Sequence, residues 1–284
     1  MSMINLKHSY KRIFAFGCSY TRHTWPTWAN IIASQYPNSI FYNLAKSGGG
    51  NQLLYIRLAQ AHNKFQIDQD DLVLIMYPSY TREDRHTSQG YWHTPGNIFN
   101  EGHDLNAPLD YYKFYENYGS FFHYILRDMS IIYMVESFLN NLTCDKISLL
   151  STSLTGDKNI PGDKEHLSFI EDPNLTKYHN FINTYKGLLN KFPECYHHFL
   201  HKNYIKKNIA TGVSFQNGSD SHPNPLQALE YLKHLGIALK EEAYLYANEQ
   251  NKKLLSCNSF NDILKTWHDE EENMDILIYK NGIV

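Results

Sequence analysis

Two short stretches at opposite ends of the chain carry groups whose chemistry fits together. Gly17-Cys18-Ser19 closes the apolar run Ile13–Phe16, and Asp220-Ser221-His222 stands directly before Pro223. A serine hydroxyl becomes a nucleophile when an imidazole takes its proton and a carboxylate holds that imidazole in place. An Asp and a His two residues apart on an extended segment point the same way, so the second stretch can supply both groups. Between the two stretches lies Gly48-Gly49-Gly50, placed where a strand passes into a helix. It has neither the GxGxxG spacing nor the GK[ST] ending of a phosphate loop. Its backbone N–H groups suit a developing oxyanion at a helix N-terminus instead. Each feature also has a plainer reading: Ser19 or Thr21 caps a turn, and Asp220 with His222 forms a surface pair.

The elements needed to position these groups are legible in the order of the chain. Arg12–Gly17, Ser39–Leu44, Leu72–Tyr77 and Lys146–Ser151 read as strands, with Ala210–Phe215 as a last short one. Leu72–Tyr77 is apolar on both faces, as a central parallel strand must be. Helical spacing of apolar residues runs through Trp25–Tyr36, Gln52–Phe65, Phe121–Leu139, Phe181–Phe192 and Pro225–Asn248. Strand and helix alternate, which predicts an α/β fold with a central parallel sheet. In such sheets ligands sit beyond the carboxyl ends of the strands, which is where Ser19 and the three glycines fall. The stretch of about 82–120 shows neither period and reads as an insertion over that edge. About 250–284 reads as a C-terminal extension, with an acidic run Asp269-Glu270-Glu271-Glu272 on a solvated face and an apolar Ile276–Tyr279 end. One domain over 1–284 accounts for all of this.

Composition excludes several classes of function. With 42% hydrophobic and 19% charged residues in 284, the chain is globular. A net charge of −3 leaves no electrostatic footprint for nucleic acid or an anionic membrane. No run approaches the roughly 20 apolar residues of a membrane span, and Met1–Arg12 lacks the apolar core of a signal peptide, so a cytoplasmic protein is expected. Cys18, Cys144, Cys195 and Cys257 form no CxxC pair. His197, His198 and His201 have HxxxH spacing but no glutamate between them, and His86, His93 and His103 lie in the insertion. Neither a metal nor a cofactor is expected. The chain is rich in aromatics, with 22 Tyr and 15 Phe, which is compatible with a sugar-binding cleft.

The chain resembles the SGNH (GDSL-like) hydrolases in three blocks taken in order. Gly17-Cys18-Ser19 is similar to their Gly-Asp-Ser block, Asn43-Leu44-Ala45-Lys46-Ser47-Gly48 to their Asn-to-Gly block, and Asp220-Ser221-His222-Pro223 to their Asp/His block. The resemblance implies a flavodoxin-like three-layer α/β/α sandwich. It matches Ser19 to the nucleophile, His222 to the base, Asp220 to the acid that orients it, and the N–H groups of Ser19 and Gly48 to the oxyanion hole. The family's third block, Gly-x-Asn-Asp, is missing, with Tyr77-Pro78-Ser79-Tyr80-Thr81-Arg82 in its place. Asn51, Ser79 and Arg82 are candidates to replace its asparagine, and Asn51 ranks first because it follows the glycines. Arg82 and Tyr80 are candidates to touch the substrate. The Asp-x-His spacing is also one residue shorter than the family's.

The resemblance implies a serine esterase that removes a small acyl group, acetyl first, from a carbohydrate-like or other small ester through an acyl-enzyme. Two alternatives share the fold: a polysaccharide O-acetyltransferase with the same three residues, and a non-catalytic carbohydrate-binding module. A thiol at Cys18, beside Ser19, is the rival nucleophile.

Overall fold

Alternate residues of β1 (Arg12–Phe16) and β3 (Asp71–Tyr77) go to opposite faces of one sheet, because side chains on a strand alternate with a period of two. Phe14, Phe16, Val73, Ile75 and Tyr77 enter one core; Ile13, Ala15, Leu72, Leu74 and Met76 enter the other. All seven residues of β3 are buried, so this strand is covered on both sides. The computed structural model describes residues 4–80, 82–88, 90–96, 98, 121–153, 183, 185, 187–188, 190–215 and 218–267. Within them β2 (Ile40–Asn43) and β6 (Asp145–Leu150) complete a four-stranded parallel sheet in the order β2-β1-β3-β6. Arg12 and Asp71 pin the starts of β1 and β3 together through Nη2–Oδ2 at 2.7 Å.

Helices cover both faces and make the fold three-layered. On one side α2 (Asn51–Phe65) and α3 (Phe121–Asn141) pack through Leu54, Leu58, Met129, Ile132 and Val135. On the other lie α1 (Trp28–Ala33), α4 (Tyr196–Asn203), α5 (Pro225–His234) and α6 (Glu241–Ser256). α1 is far too short to stand alone. Trp28, Ile31 and Ile32 are fully buried, and each contributes roughly 2 kcal/mol by leaving water. No helix among the described residues is long and apolar enough to cross a membrane.

Several expected boundaries differ. Val213–Phe215 (β7) does not join the main sheet; it pairs antiparallel with Gly218–Asp220 (β8) as a separate hairpin. The helix expected over Pro225–Asn248 is two helices. Gly236 adopts a left-handed φ of +71°, and the following Ile237 bridges in parallel to Ile4. α6 runs through residue 250, inside the stretch read as a C-terminal extension. It is followed by a helical turn over 260–267, which packs with it. α1 starts at Trp28 behind the cap residue Thr27, which leaves Pro26 outside the helix. In the 82–120 stretch, β4 (Arg85–His86) pairs with β5 (Trp92–His93), and Thr94 Oγ1 just beyond donates to Ser47 O at 3.0 Å. The remainder of that stretch, His103 included, lies largely outside the described residues. So do the acidic run, Ile276–Tyr279, and much of Phe181–Phe192.

A buried polar network joins the loop after β3 to α2 and α3. Asp84 accepts from Gly50 N and Leu53 N, both at 2.8 Å, and so caps α2, whose N-cap residue is a glycine without a side chain of its own. Asp128 of α3 accepts from Asn51 Nδ2 at 2.8 Å and from Arg127 Nε at 2.6 Å. Arg127 also donates to Glu83 and to Arg82 O. Arg57 of α2 reaches Leu44 O and Ala45 O and fixes the chain leaving β2. Burial pushes the Asp128 carboxyl up to about 6, against the opposing pull of Arg127 and Asn51.

That shift has a definite sign. A carboxyl whose folded value lies above its unfolded one binds its proton more readily in the native state, so stability grows as pH falls through that window. Compared with Asp128→Asn, which cannot titrate, the wild type is expected to gain up to about 3 kcal/mol between pH 7 and pH 4. Urea unfolding of both proteins across that range measures the difference; a flat difference would show that Asp128 titrates normally.

Candidate active site

β1 delivers Ser19 through a turn that only glycine permits. Gly17 has φ +154°, and a Cβ there would lie 2.4 Å from Thr21 Oγ1 and 2.8 Å from Met76 O. The chain then folds back, with Thr21 N and Arg22 N both donating to Cys18 O at 2.9 Å. The buried Thr21 anchors the turn: its carbonyl accepts from Asn43 Nδ2 at 2.9 Å and Thr27 Oγ1 at 2.6 Å, and its hydroxyl accepts from Trp28 Nε1 at 3.3 Å. The Cys18 side chain is fully buried at 0% exposure, whereas Ser19 Oγ meets an imidazole. The thiol therefore does not share the serine's position.

The structure brings Ser19, His222 and Asp220 together across 203 residues of sequence. Ser19 Oγ lies 2.8 Å from His222 Nε2, and His222 Nδ1 lies 2.6 Å from Asp220 Oδ1. An ionised carboxylate only accepts, so Nδ1 carries the proton and Nε2 presents its lone pair to the serine hydroxyl. The backbone N–H of His222 also donates to Asp220 Oδ1, at 2.9 Å. This local bond lets an Asp and a His only two residues apart face each other. Partial burial alone would raise the Asp220 carboxyl. Hydrogen bonds from His222 and His23 outweigh it and hold the group well below the usual carboxylate range. Such a chain of groups can take a proton from a hydroxyl and return it to a leaving group.

Four residues that the sequence did not single out hold this arrangement. Gly212 has φ +68°, and a Cβ on it would fall 1.9 Å from Asp220 O and 2.6 Å from His222 O. Trp25 Nε1 donates to Pro223 O at 2.9 Å, so the turn that carries Ser19 grips the loop that carries His222. Gln227 forms a capping box with Asn224 at the start of α5 and donates from Nε2 to Ala210 O at 3.1 Å. His23 stacks on His222 at 4.1 Å between ring centres, and its Nε2 lies 3.2 Å from Asp220 Oδ2. Of these, only Gly212 leaves a signal in the sequence, a glycine inside the short strand predicted over Ala210–Phe215.

His23, Asp220 and His222 are also a possible set of metal ligands, with ligand atoms within 4.8 Å of one another. The two imidazole planes, however, lie 22° from parallel. Two in-plane lone pairs on near-parallel rings do not converge on one point, which does not suit a tetrahedral ion.

The oxyanion side corrects two expectations. Asn51 does not face Ser19: it is fully buried, and its two amide hydrogens go to Pro78 O at 3.1 Å and Asp128 Oδ2 at 2.8 Å. Tyr80 is 1% exposed within the core under α2 and α3, out of reach of a substrate. Among the glycine amides, Gly49 N donates to Lys46 O and Gly50 N to Asp84, which leaves Gly48 as the remaining candidate donor. Gly48 has φ +72°, with Thr94 O where a Cβ would be. Arg82, half-buried beside this loop, donates from Nη1 to Gly49 O at 3.1 Å. A narrow recess of about 10 Å³, the room of a single water, adjoins Ser19 and His222, walled by Tyr20, Thr27, Trp28 and Tyr196.

No family model matches this chain, and no curated protein does. Among solved structures it is similar to protein YxiM from Bacillus subtilis, with a TM-score of 0.39 and 12% sequence identity. The similarity covers 81% of this chain and 58% of YxiM, so the chain spans less than two thirds of that protein's length.

The close approach at Gly212 makes a direct test of how the Asp220 segment is held. Gly212→Ala puts a methyl group into two backbone carbonyls and adds left-handed strain, so it is expected to cost about 2 kcal/mol or more in unfolding free energy. Denaturant unfolding measures this, and a loss below about 0.5 kcal/mol, within the range of a neutral surface change, would refute the tight packing.

Proposed function

We propose that this chain is a serine esterase of the SGNH (GDSL-like) type. The hydrogen-bonded series Ser19–His222–Asp220, at 2.8 and 2.6 Å, carries the reading. Ser19 attacks the ester carbonyl while His222 takes its proton. Asp220 keeps His222 in the tautomer that can accept that proton and offsets the imidazolium that forms. The N–H groups of Ser19 and Gly48 take the oxyanion, and His222 returns the proton to the departing alcohol. Water, activated by the same imidazole, then releases the acyl group from Ser19.

A short acyl group such as acetyl is what the resemblance to that family implies. The carbohydrate-like alcohol rests on the family resemblance, and Arg82, beside the Gly48 loop, is a candidate to touch it. Transfer of the acyl group to a sugar hydroxyl needs only a different acceptor in the second half-reaction. Adding a polysaccharide acceptor and following the fate of the acyl group separates transfer from hydrolysis. The series of three groups also bears on the non-catalytic reading, since a binding module needs no aligned base behind a serine.

Turnover of p-nitrophenyl acetate and labelling by a fluorophosphonate are the tests. Ser19→Ala is expected to abolish labelling and to lower turnover by at least about 1,000-fold, as removal of a serine nucleophile does elsewhere. Cys18→Ala is expected to keep both, because its thiol lies in the core. Full activity in Ser19→Ala would overturn the proposal.

A further inference from the structure

We infer that His23 is a positioning residue of this site: it holds the second oxygen of Asp220 while His222 holds the first. The inference rests on the esterase reading for its kinetic consequence, although the contact exists in the resting protein. Asp220 Oδ1 is taken twice, by His222 Nδ1 at 2.6 Å and by His222 N at 2.9 Å. Oδ2 would otherwise turn towards solvent, since the Asp220 side chain is 23% exposed. His23 Nε2 closes that side as a polar contact at 3.2 Å, and His23 itself is only 11% exposed.

The His23 ring has little freedom to leave. One of its faces lies over His222, with ring centres 4.1 Å apart and planes 22° from parallel. Trp25 packs against it perpendicularly, also at 4.1 Å. Trp25 is in turn fixed by its bond to Pro223 O and by Val213, Leu254, Ile263 and Trp267 around it. His23 also belongs to the turn that presents Ser19. One side chain thus ties the nucleophile's turn directly to the hairpin that carries the acid, which nothing in the β7–β8 pairing does.

Charge is consistent with this role. Asp220 brings one negative charge to two imidazoles, and only His222 becomes cationic when Ser19 gives up its proton. His23 Nε2 sits 3.2 Å from the carboxylate, and in its neutral form the ring adds no second positive charge 4.1 Å from the first. It therefore restrains Asp220 without opposing the imidazolium.

Two variants separate the bond from the packing. His23→Phe keeps a ring between Trp25 and His222 but removes the donor. His23→Gln removes the ring but keeps an N–H at a similar reach. With p-nitrophenyl acetate, His23→Phe is expected to lower kcat about 10- to 100-fold with KM changed less than about twofold, the usual scale for losing an outer hydrogen-bond partner. His23→Gln is expected to restore kcat to within about threefold of the wild type on the same scale. A wild-type kcat in His23→Phe, or equal losses in both variants, would overturn the inference. Proton NMR of the resting protein gives a readout independent of turnover. The His222 Nδ1–H resonance should be sharp in the wild type and in His23→Gln, and broadened by exchange in His23→Phe. If the wild type shows no esterase activity but that pattern holds, the esterase reading fails and the role of His23 stands. If the wild type turns over ester and the resonance is equally sharp in all three, the role of His23 fails alone.

Discussion

A carboxylate can orient an imidazole only if something other than its own strand keeps it still. Asp220 ends β8, a three-residue strand paired with another of three residues, and a two-stranded hairpin of that size has almost no stability in water. The local geometry at this site depends on how that deficit is met. Gly212 lets the neighbouring chain press against Asp220 O and His222 O. A small apolar cluster of Trp25, Val213, Leu254, Ile263 and Trp267 backs the hairpin from beneath. Helix α6 and the turn over 260–267 therefore belong to the architecture of the site, although they contribute no group to it.

The serine side is built on the opposite principle. Ser19 follows a fully buried strand, where β1 runs between β2 and β3 and every side chain from Ile13 to Phe16 has 0% exposure. A turn anchored by Thr21, Asn43 and Trp28 leaves it no alternative path. The Gly48 loop is fixed in a third way. Arg57 holds the carbonyls before it, and Asp84 takes the N–H groups at the start of α2 that would otherwise attract an anion. The positive end of α2 is thus already neutralised by the protein's own carboxylate. The proposed mechanism therefore draws on the N–H groups of Ser19 and Gly48.

The sheet was legible in the sequence because its strands announce themselves physically. The runs at 13–16 and 72–77 are apolar on both faces, and only a covered parallel strand tolerates that. The order of Ser19, Gly48 and Asp220/His222 along the chain was legible too, since each follows a predicted strand. What could not be read were bonds between distant segments. Asn51 was expected to face Ser19 because it follows three glycines, but a buried amide goes where unsatisfied acceptors are, and Pro78 O and Asp128 provided two. Tyr80 looked like an edge residue and is core. Gly236 was present as a breaker inside the apolar pattern of 225–248, and the regular spacing of leucines across it hid the break. His23 left no signal at all, because a histidine in a polar turn has the same sequence appearance whether it meets water or a carboxylate.

The short Asp-x-His spacing links these observations. With only one residue between them, the His222 N–H and Nδ1 both reach the same oxygen of Asp220, so the local segment satisfies Oδ1 twice and leaves Oδ2 open. A half-buried carboxylate with one oxygen open can rotate or draw in water, and either change loosens the imidazole it orients. The compact spacing therefore creates a need for a donor from outside the segment. His23 Nε2 stands 3.2 Å from the open oxygen, on the turn that also presents Ser19. In this chain the departure in spacing and the additional histidine belong together: the first opens the carboxylate, and the second closes it.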